Sequence, residues 1–302
     1  KSESYSAFGW IVENKFLFDV LNAYCAKQKN ITHIRQQRVS NIDYQEDKAI
    51  VTLENDTKYE AALIIGADGR QSFTRKINNI PTKKWSYNQK AVICAATHEN
   101  PHHNIAIEHF RSDGPFAILP MMDKADGSHQ SAVVWTLHKD DSMNIINDSD
   151  IFLTALNERF PSSYGDVTQT STPQIYPLSF NHAYEYITHR TALIGDAAHG
   201  IHPIAGQGLN IGLQDVKALH KTLSDLQSNK KDIGQKDNLK VYEQMRKPDN
   251  TAMAAATDLL NRLFSNNITP IKLIRQKGLK IIERVTPSKK FFIQRAMGIK
   301  DT

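Results

Sequence analysis

The residues best suited to chemistry lie in one string: Gly195-Asp196-Ala-Ala-His199-Gly-Ile-His202-Pro203-Ile-Ala-Gly206-Gln207-Gly208-Leu209-Asn210-Ile-Gly212-Leu-Gln-Asp215. The apolar run before Gly195 reads as a buried strand, so Asp196 falls at the strand's C-terminal end. Open α/β sheets bind ligands at that edge, and a carboxylate there can accept hydrogen bonds from paired sugar hydroxyls. Gly206-Gln207-Gly208 lets backbone approach a flat ligand closely at the start of a helix. The free N–H groups and positive dipole of that helix end favour developing negative charge. His199 and His202 have the spacing of one helical face and are acid–base or metal candidates. No third ligand has suitable context, so both read as loop or packing residues and no metal is expected.

A second loop, Gly66-Ala-Asp68-Gly69-Arg70-Gln-Ser72, follows the apolar run Ala61-Ala-Leu-Ile-Ile65. Alone, Asp-Gly makes only a turn. Its place after a buried strand, well ahead of Gly195-Asp196, gives it more meaning.

A reduced flavin carries negative charge on its pyrimidine side, which is what the Gly206–Asn210 helix start is suited to stabilise. The string Gly195-Asp196 through Asn210 resembles the second FAD motif of the flavoprotein aromatic hydroxylases. His202-Pro-Ile-Ala-Gly-Gln-Gly-Leu-Asn210 is especially similar to their ubiquinone-biosynthesis branch. Gly66–Ser72 resembles that family's Asp-Gly loop. Phe8-Gly-Trp-Ile-Val-Glu-Asn14, Glu108-His-Phe110, Gly114-Pro-Phe-Ala-Ile-Leu-Pro120, Tyr176-Pro-Leu178, Arg246-Lys-Pro-Asp-Asn250 and Asn261–Asn266 extend the likeness over nearly all of the chain.

The resemblance implies an α/β fold: a FAD-binding Rossmann-like domain, an inserted antiparallel sheet for the substrate, and C-terminal helices. It implies FAD as cofactor, NAD(P)H as a transient reductant, and hydroxylation of a polyprenylated aromatic ring in ubiquinone biosynthesis. By the same resemblance Asp196 contacts the flavin ribityl chain. Pro203 and the Gly206, Gln207, Gly208, Leu209 and Asn210 backbone face the ring, with Gly195 setting the turn. Asp68 and Gly69 serve the pyrophosphate side. No catalytic acid or base is named. Phe110, Leu119 and Trp135 are candidates to line an aromatic-substrate pocket, set against the plainer expectation that each is sheet core.

The family begins with a Gly-x-Gly-x-x-Gly loop that cradles the pyrophosphate, and no such motif occurs in this sequence. The chain opens with Lys1 and reads as an internal start in a longer protein, so the FAD domain is expected to be incomplete and FAD binding by the chain alone to be weak. The alternative is a non-catalytic hydroxylase-fold subunit or scaffold in a biosynthetic complex.

The elements that would position these residues are legible as patterns. Phe16, Leu17, Val20, Leu21 and Tyr24 recur on one face of a helix from Asn14 to Lys27. Strands are expected at Ile31–Arg38, Ala49–Leu53 and Tyr59–Ile65. An antiparallel group follows at Ala91–Thr97, Ile105–Phe110, Phe116–Pro120 and Ser131–Leu137, separated by polar turns. A helix at Asp150–Arg159 and strands at Gln174–Leu178 and Thr191–Gly195 come next. Helices then follow at Gly208–Leu226, Leu239–Arg246, Asn250–Phe264 and Ile271–Arg284. The domains implied are 1–76 and 177–250 for FAD, 77–176 for substrate, and a helical region at 251–302.

With 302 residues, 40% of them hydrophobic, the chain can bury more than one core. A net charge of +5 suits an acidic surface but is too mild, without a recognition module, to indicate nucleic acid. Two distant cysteines, Cys25 and Cys94, indicate a reducing compartment and no disulfide framework. No apolar run reaches the roughly 18 to 20 residues of a membrane span. The expected location is cytoplasmic, with peripheral contact to an inner membrane. The basic segment from Lys272 to Lys300, interleaved with Ile271, Ile274, Phe291 and Phe292, is the candidate for that contact. The competing reading is an ordinary helix with a solvated charged face.

Overall fold

Two kinds of strand arrangement divide the labour. The computed structural model describes residues 9–111, 114–138, 146–203 and 206–264. In chain order the elements are α1 (Asn14–Ala26), β1 (Val39–Tyr44), β2 (Ala49–Leu53), β3 (Lys58–Ala61), β4 (Ile64–Gly66), α2 (Phe73–Ile77) and β5 (Thr82–His98). Next come β6 (Ile107–Arg111), β7 (Gly114–Pro120), β8 (His129–His138), α3 (Ser149–Asn157), β9 (Val167–Thr170) and β10 (Gln174–Ala183). The last are β11 (Ile187–Thr188), β12 (Thr191–Leu193), β13 (His199–Gly200), α4 (Gly208–Ser228) and α5 (Lys236–Phe264). They form two units, one mainly from Tyr87–Leu178, the other from Ala23–Ser86 and Ser179–Leu259. Residues 77–86 and 251–259 thus fall in the same unit as the Gly-Asp loops, and not where the sequence boundaries put them.

In the first unit β5, β8, β7 and β6 are antiparallel neighbours, with β9 also pairing β5. Alternation gives the sheet two faces. Val92, Cys94, Ala96, Phe116, Ile118, Val133, Trp135 and Leu137 point to one, where Phe152 and Leu156 of α3 complete a core. Asp148 starts α3 by accepting the N–H groups of Asp150 and Ile151. Burial pushes the Cys94 thiol up to about 12, so it packs as an inert apolar group.

In the second unit β4 and β12 run parallel, Ile64 opposite Thr191 and Gly66 opposite Leu193. β11 pairs with β12 antiparallel, and β1–β2–β3 form a meander. The core joins Ile187, Ala192 and Leu193 to Ala218 and Leu219 of α4 and to Leu239 and Tyr242 of α5. Arg190, 1% exposed, ties several loops together. Its guanidinium donates to Glu46 O at 2.5 and 3.0 Å, Ala62 O at 2.8 Å and the Asp232 carboxylate at 2.6 Å.

Three elements differ from the sequence pattern. Residues 31–38 form no strand, and pairing with β2 starts at Val39. The 59–65 run breaks into β3 and β4, which join different sheets. α5 continues through Pro248 instead of splitting there; proline removes one helical donor, but Arg246 and Asn250 on either side of it are hydrogen-bonded to each other at 2.7 Å. α1 forms where its periodicity predicts, although none of its residues is buried. The expected helix at 271–284 and the basic 272–300 segment lie outside the described residues. No described helix is long and apolar enough to cross a membrane.

Candidate functional site

Both aspartate-bearing loops leave the C-terminal ends of adjacent parallel strands. β4 runs into Asp68-Gly69-Arg70 and β12 into Gly195-Asp196, so their chemistry is delivered to one edge of one sheet. Gly195 turns with φ +56° and Gly206 with φ +62°, a region in which a side chain is strained.

Two arginines lock these loops together. Arg70 Nε donates to Asp196 Oδ2 at 2.9 Å, while its other nitrogens reach Ser179 O at 2.6 Å and Ile201 O at 2.9 Å. Arg75 reaches Ala197 O at 2.6 Å and Arg70 O at 2.7 Å. Asp196 is therefore oriented through one oxygen, and its side chain stays 44% exposed. Asp68 Oδ2 accepts the backbone N–H and hydroxyl of Thr74 at 2.8 and 3.0 Å, an internal cap for α2. Burial acts to raise the Asp68 pKa, but hydrogen bonds from Ser72 and Thr74 outweigh it and hold the carboxyl below its usual value.

Beneath the Gly195 turn lies a fully buried carboxylate. Asp215, on α4, accepts Gly195 N–H at 3.0 Å, His199 Nε2 at 2.5 Å, Arg246 Nε at 2.8 Å and Asn250 Nδ2 at 3.0 Å. Burial acts against its charge, yet these hydrogen bonds win and keep its pKa below the usual value. One side chain thus joins the β12 loop, α4 and α5. His202, also fully buried, has its pKa pushed down to about 4 by burial and by the nearby Arg70 charge, so it is neutral at physiological pH.

The residues present fit a flat, polyhydroxylated cofactor. At Gly69, Gly195, Gly206 and Gly208 an added Cβ would meet nothing within 4 Å, so the backbone there faces open space. The Gln207 side chain caps none of the first N–H groups of α4, and the positive end of a 21-residue helix dipole lies at the site. Gln207 is nearly buried and accepts from Asn210 Nδ2 at 3.2 Å. Leu209 is exposed and Pro203 half-buried.

The structure brings Gly69, Gly195 and Asp196 to the same strand edge and puts Gly206–Asn210 at the start of α4. The substrate candidates separate. Phe110 and Leu119 lie on the sheet face opposite the α3 core. Trp135 is cross-strand from Phe116, 1% exposed, with the Arg159 guanidinium 4.1 Å from its ring centre. It is a core residue, the plainer of the two expectations for it, and shares no face with Phe110. His98, at the end of β5, is buried and hydrogen-bonded to Asn100 O at 2.8 Å and Ser131 Oγ at 3.0 Å. Arg70, Arg75 and the Asp215–Arg246–Asn250 network were not singled out from sequence; Arg70, Asp215, Arg246 and Asn250 lay inside the quoted motifs, but nothing in them showed which partner each would meet. Among the described residues no group of three or more His, Cys, Asp or Glu is placed to hold a metal.

The family model described as "FAD binding domain" matches residues 21–257. A ubiquinone hydroxylase of Rhodospirillum rubrum is 37% identical over 299 residues, which is 99% of this chain and 68% of that protein. The mitochondrial ubiquinone biosynthesis monooxygenase of Danio rerio is 33% identical, over 96% of this chain and 68% of its own length. Among solved structures, PqsL of Pseudomonas aeruginosa, described as "a probable FAD-dependent monooxygenase", aligns with TM-score 0.70 at 20% identity, covering 82% of this chain and 69% of that one. The anhydrotetracycline hydroxylase OxyS of Streptomyces rimosus gives 0.66 at 21%, covering 90% and 54%. These two likenesses concern fold alone.

Proposed function

We propose, from the premise that the chain belongs to the FAD-dependent aromatic hydroxylase family of ubiquinone biosynthesis, that it hydroxylates the ring of a polyprenylated phenol. The observation that carries the reading is the pair of aspartate loops at one parallel-strand edge, bound to each other through Arg70 and Arg75, with α4 starting after the second of them.

The chain's own residues divide the task. Asp196, aimed by Arg70, accepts hydrogen bonds from ribityl hydroxyls. The Gly206–Asn210 backbone lies against the ring system, and the α4 dipole favours negative charge on it. Gly69 gives the phosphate side close backbone approach. Asp215 holds the Gly195 turn from below. FAD, when bound, supplies the redox chemistry with dioxygen, with a nicotinamide as reductant. A membrane-resident prenylated substrate also gives the basic 272–300 segment a purpose, attachment to anionic lipid.

FAD titration followed by flavin fluorescence tests the cofactor assignment. Replacing Asp196 by Ala is expected to weaken binding on the order of tenfold, the value of a lost charge-assisted hydrogen bond. Equal affinity for wild type and D196A would overturn it.

A further inference from the structure

Three histidines of the first unit meet where the β5–β6 and β7–β8 connections come together. His98, at the end of β5, is cross-strand from His129, at the start of β8. Its ring centre lies 6.3 Å from that of His129 and 6.1 Å from that of His102, in the β5–β6 connection. Two of the rings have partners that fix where their protons sit. His102 Nε2 is 2.9 Å from Met121 O, and a carbonyl can only accept, so Nε2 carries the proton. His102 Nδ1 then accepts Asn104 N–H at 3.0 Å. His98 Nδ1 donates to Asn100 O at 2.8 Å, which leaves its Nε2 to accept from the Ser131 hydroxyl at 3.0 Å.

The His102 bonds also hold a turn. His103 and Asn104 are both left-handed, with φ +51° and +56°, a conformation uncommon outside glycine. Ile105 N–H donates to His102 O at 3.0 Å and closes the turn in the backbone. The ring closes it a second time through Asn104 and pins it to Met121. A second proton on His102 can go only to Nδ1, the atom that accepts Asn104 N–H, so a positive ring and that bond cannot coexist. His129 Nδ1 pairs with Asp123 Oδ1 at 3.1 Å. The other charged or titratable side chains on the elements packed there are Lys124, Glu99 and Tyr164. Lys124 Nζ donates to Thr97 Oγ1 at 2.8 Å, Glu99 accepts Asp166 N–H, and the Tyr164 ring lies 4.9 Å from that of His98. Burial holds the His98 pKa below its usual value; Asn100 O and Asp123 oppose this, and His102 and His129 add to it.

We propose that His102, backed by His98 and His129, is an acid-operated latch that pins the β5–β6 connection to the β7–β8 connection at neutral pH and releases it on protonation. A proton on Nδ1 removes the Asn104 bond and leaves the left-handed turn held by its backbone alone. It also crowds positive charge among three neighbouring rings, which favours their separation. The released segment leads into β6, at the end of the strand order, so opening loosens that edge while β5, β7 and β8 stay paired. The latch does not depend on the hydroxylase reading.

Hydrogen exchange of the full chain, read by mass spectrometry and corrected for the intrinsic effect of pH, tests this. The range is about pH 8 to about pH 5, which spans the ordinary imidazole pKa of about 6.5. Peptides covering residues 99–106 are expected to exchange on the order of tenfold faster at the acid end, the effect of one lost hydrogen bond. Peptides from β7 and β8 are expected to keep their protection. His102→Gln offers Met121 O an amide donor that cannot titrate, so its 99–106 peptides are expected to show no pH dependence, whatever their absolute rate. Nitrogen chemical shifts of the His102 ring need no variant and are expected to show the Nε2–H form at neutral pH. Four results would each overturn the latch. These are wild-type exchange that ignores pH, an H102Q chain with the wild-type profile, protection lost in β7 and β8 together with the loop, and an Nδ1–H ring at neutral pH.

Discussion

Substituting Asp215 by Asn is the sharpest perturbation of the second unit. The change keeps size and shape but removes a charge from a fully inaccessible site. The carboxylate meets four donors, from Gly195, His199, Arg246 and Asn250. An amide offers one oxygen and turns an NH2 group toward at least one of those donors. The Arg246 side chain, 6% exposed, keeps Asn250 Oδ1 at 2.7 Å and Asp249 Oδ2 at 3.2 Å but loses its buried counter-charge. Breaking a buried pair in this way costs about 3 to 5 kcal/mol. For a unit of this size that is a drop of roughly 6 to 20 °C in melting midpoint. The pH dependence has a definite sign. The folded pKa of Asp215 lies below its unfolded value of 3.8, so the stabilisation is complete above about pH 4 and is lost as pH falls through the folded value. The difference between wild type and D215N is therefore expected to be constant from pH 8 to 5 and to shrink only in stronger acid. Urea unfolding monitored by hydrogen exchange on peptides from residues 191–228 localises the effect. The double change Asp215→Leu with Arg246→Met should recover part of the loss, because it leaves no lone buried charge. A D215N chain within about 1 kcal/mol of wild type would refute this account of the network.

Other expectations follow from particular atoms. Gly114→Ala would set a Cβ 2.2 Å from Thr136 O at φ +130°, so the first unit should lose more than about 3 kcal/mol in urea unfolding. Trp135→Ala should cost about 3 to 5 kcal/mol through the cavity it leaves, whereas Phe110→Ala, at an open position, should cost far less in the same assay. Because His202 is held neutral with a folded pKa of about 4 against 6.5 unfolded, its contribution is complete above pH 6.5 and lost as pH falls toward 4. His202→Gln should flatten that part of the stability profile.

The strands, helices and both glycine loops were readable because each is announced locally, by period, by an apolar run, or by glycine where a turn needs it. The 31–38 segment misled because strand character without a paired neighbour is only propensity. Pro248 misled in the other direction: a helix-breaking residue was overridden by packing, since residues on both sides of it are tied into the Asp215 network. The arginines failed to stand out because any surface arginine looks the same in sequence; what distinguishes Arg70 and Arg190 is convergence on carbonyls more than a hundred residues away.

The separation of Trp135 from Phe110 and Leu119 has a general cause. Which face a strand residue takes is set by register, and a slip of one residue moves every side chain across the sheet. Phe110 is opposite Pro115, so its face continues through Ala117 and Leu119, whereas Phe116 is opposite Trp135 and both point into the core. Residue type alone grouped three large apolar side chains as one pocket. Register separates them. The same parity predicts that Ile118→Ala and Phe116→Ala each cost the first unit about 2 to 5 kcal/mol in urea unfolding, because both side chains are fully buried, while Leu119→Ala, on the other face, costs far less. If the two classes behaved alike in unfolding, the register would not be what sorts the core from the open face.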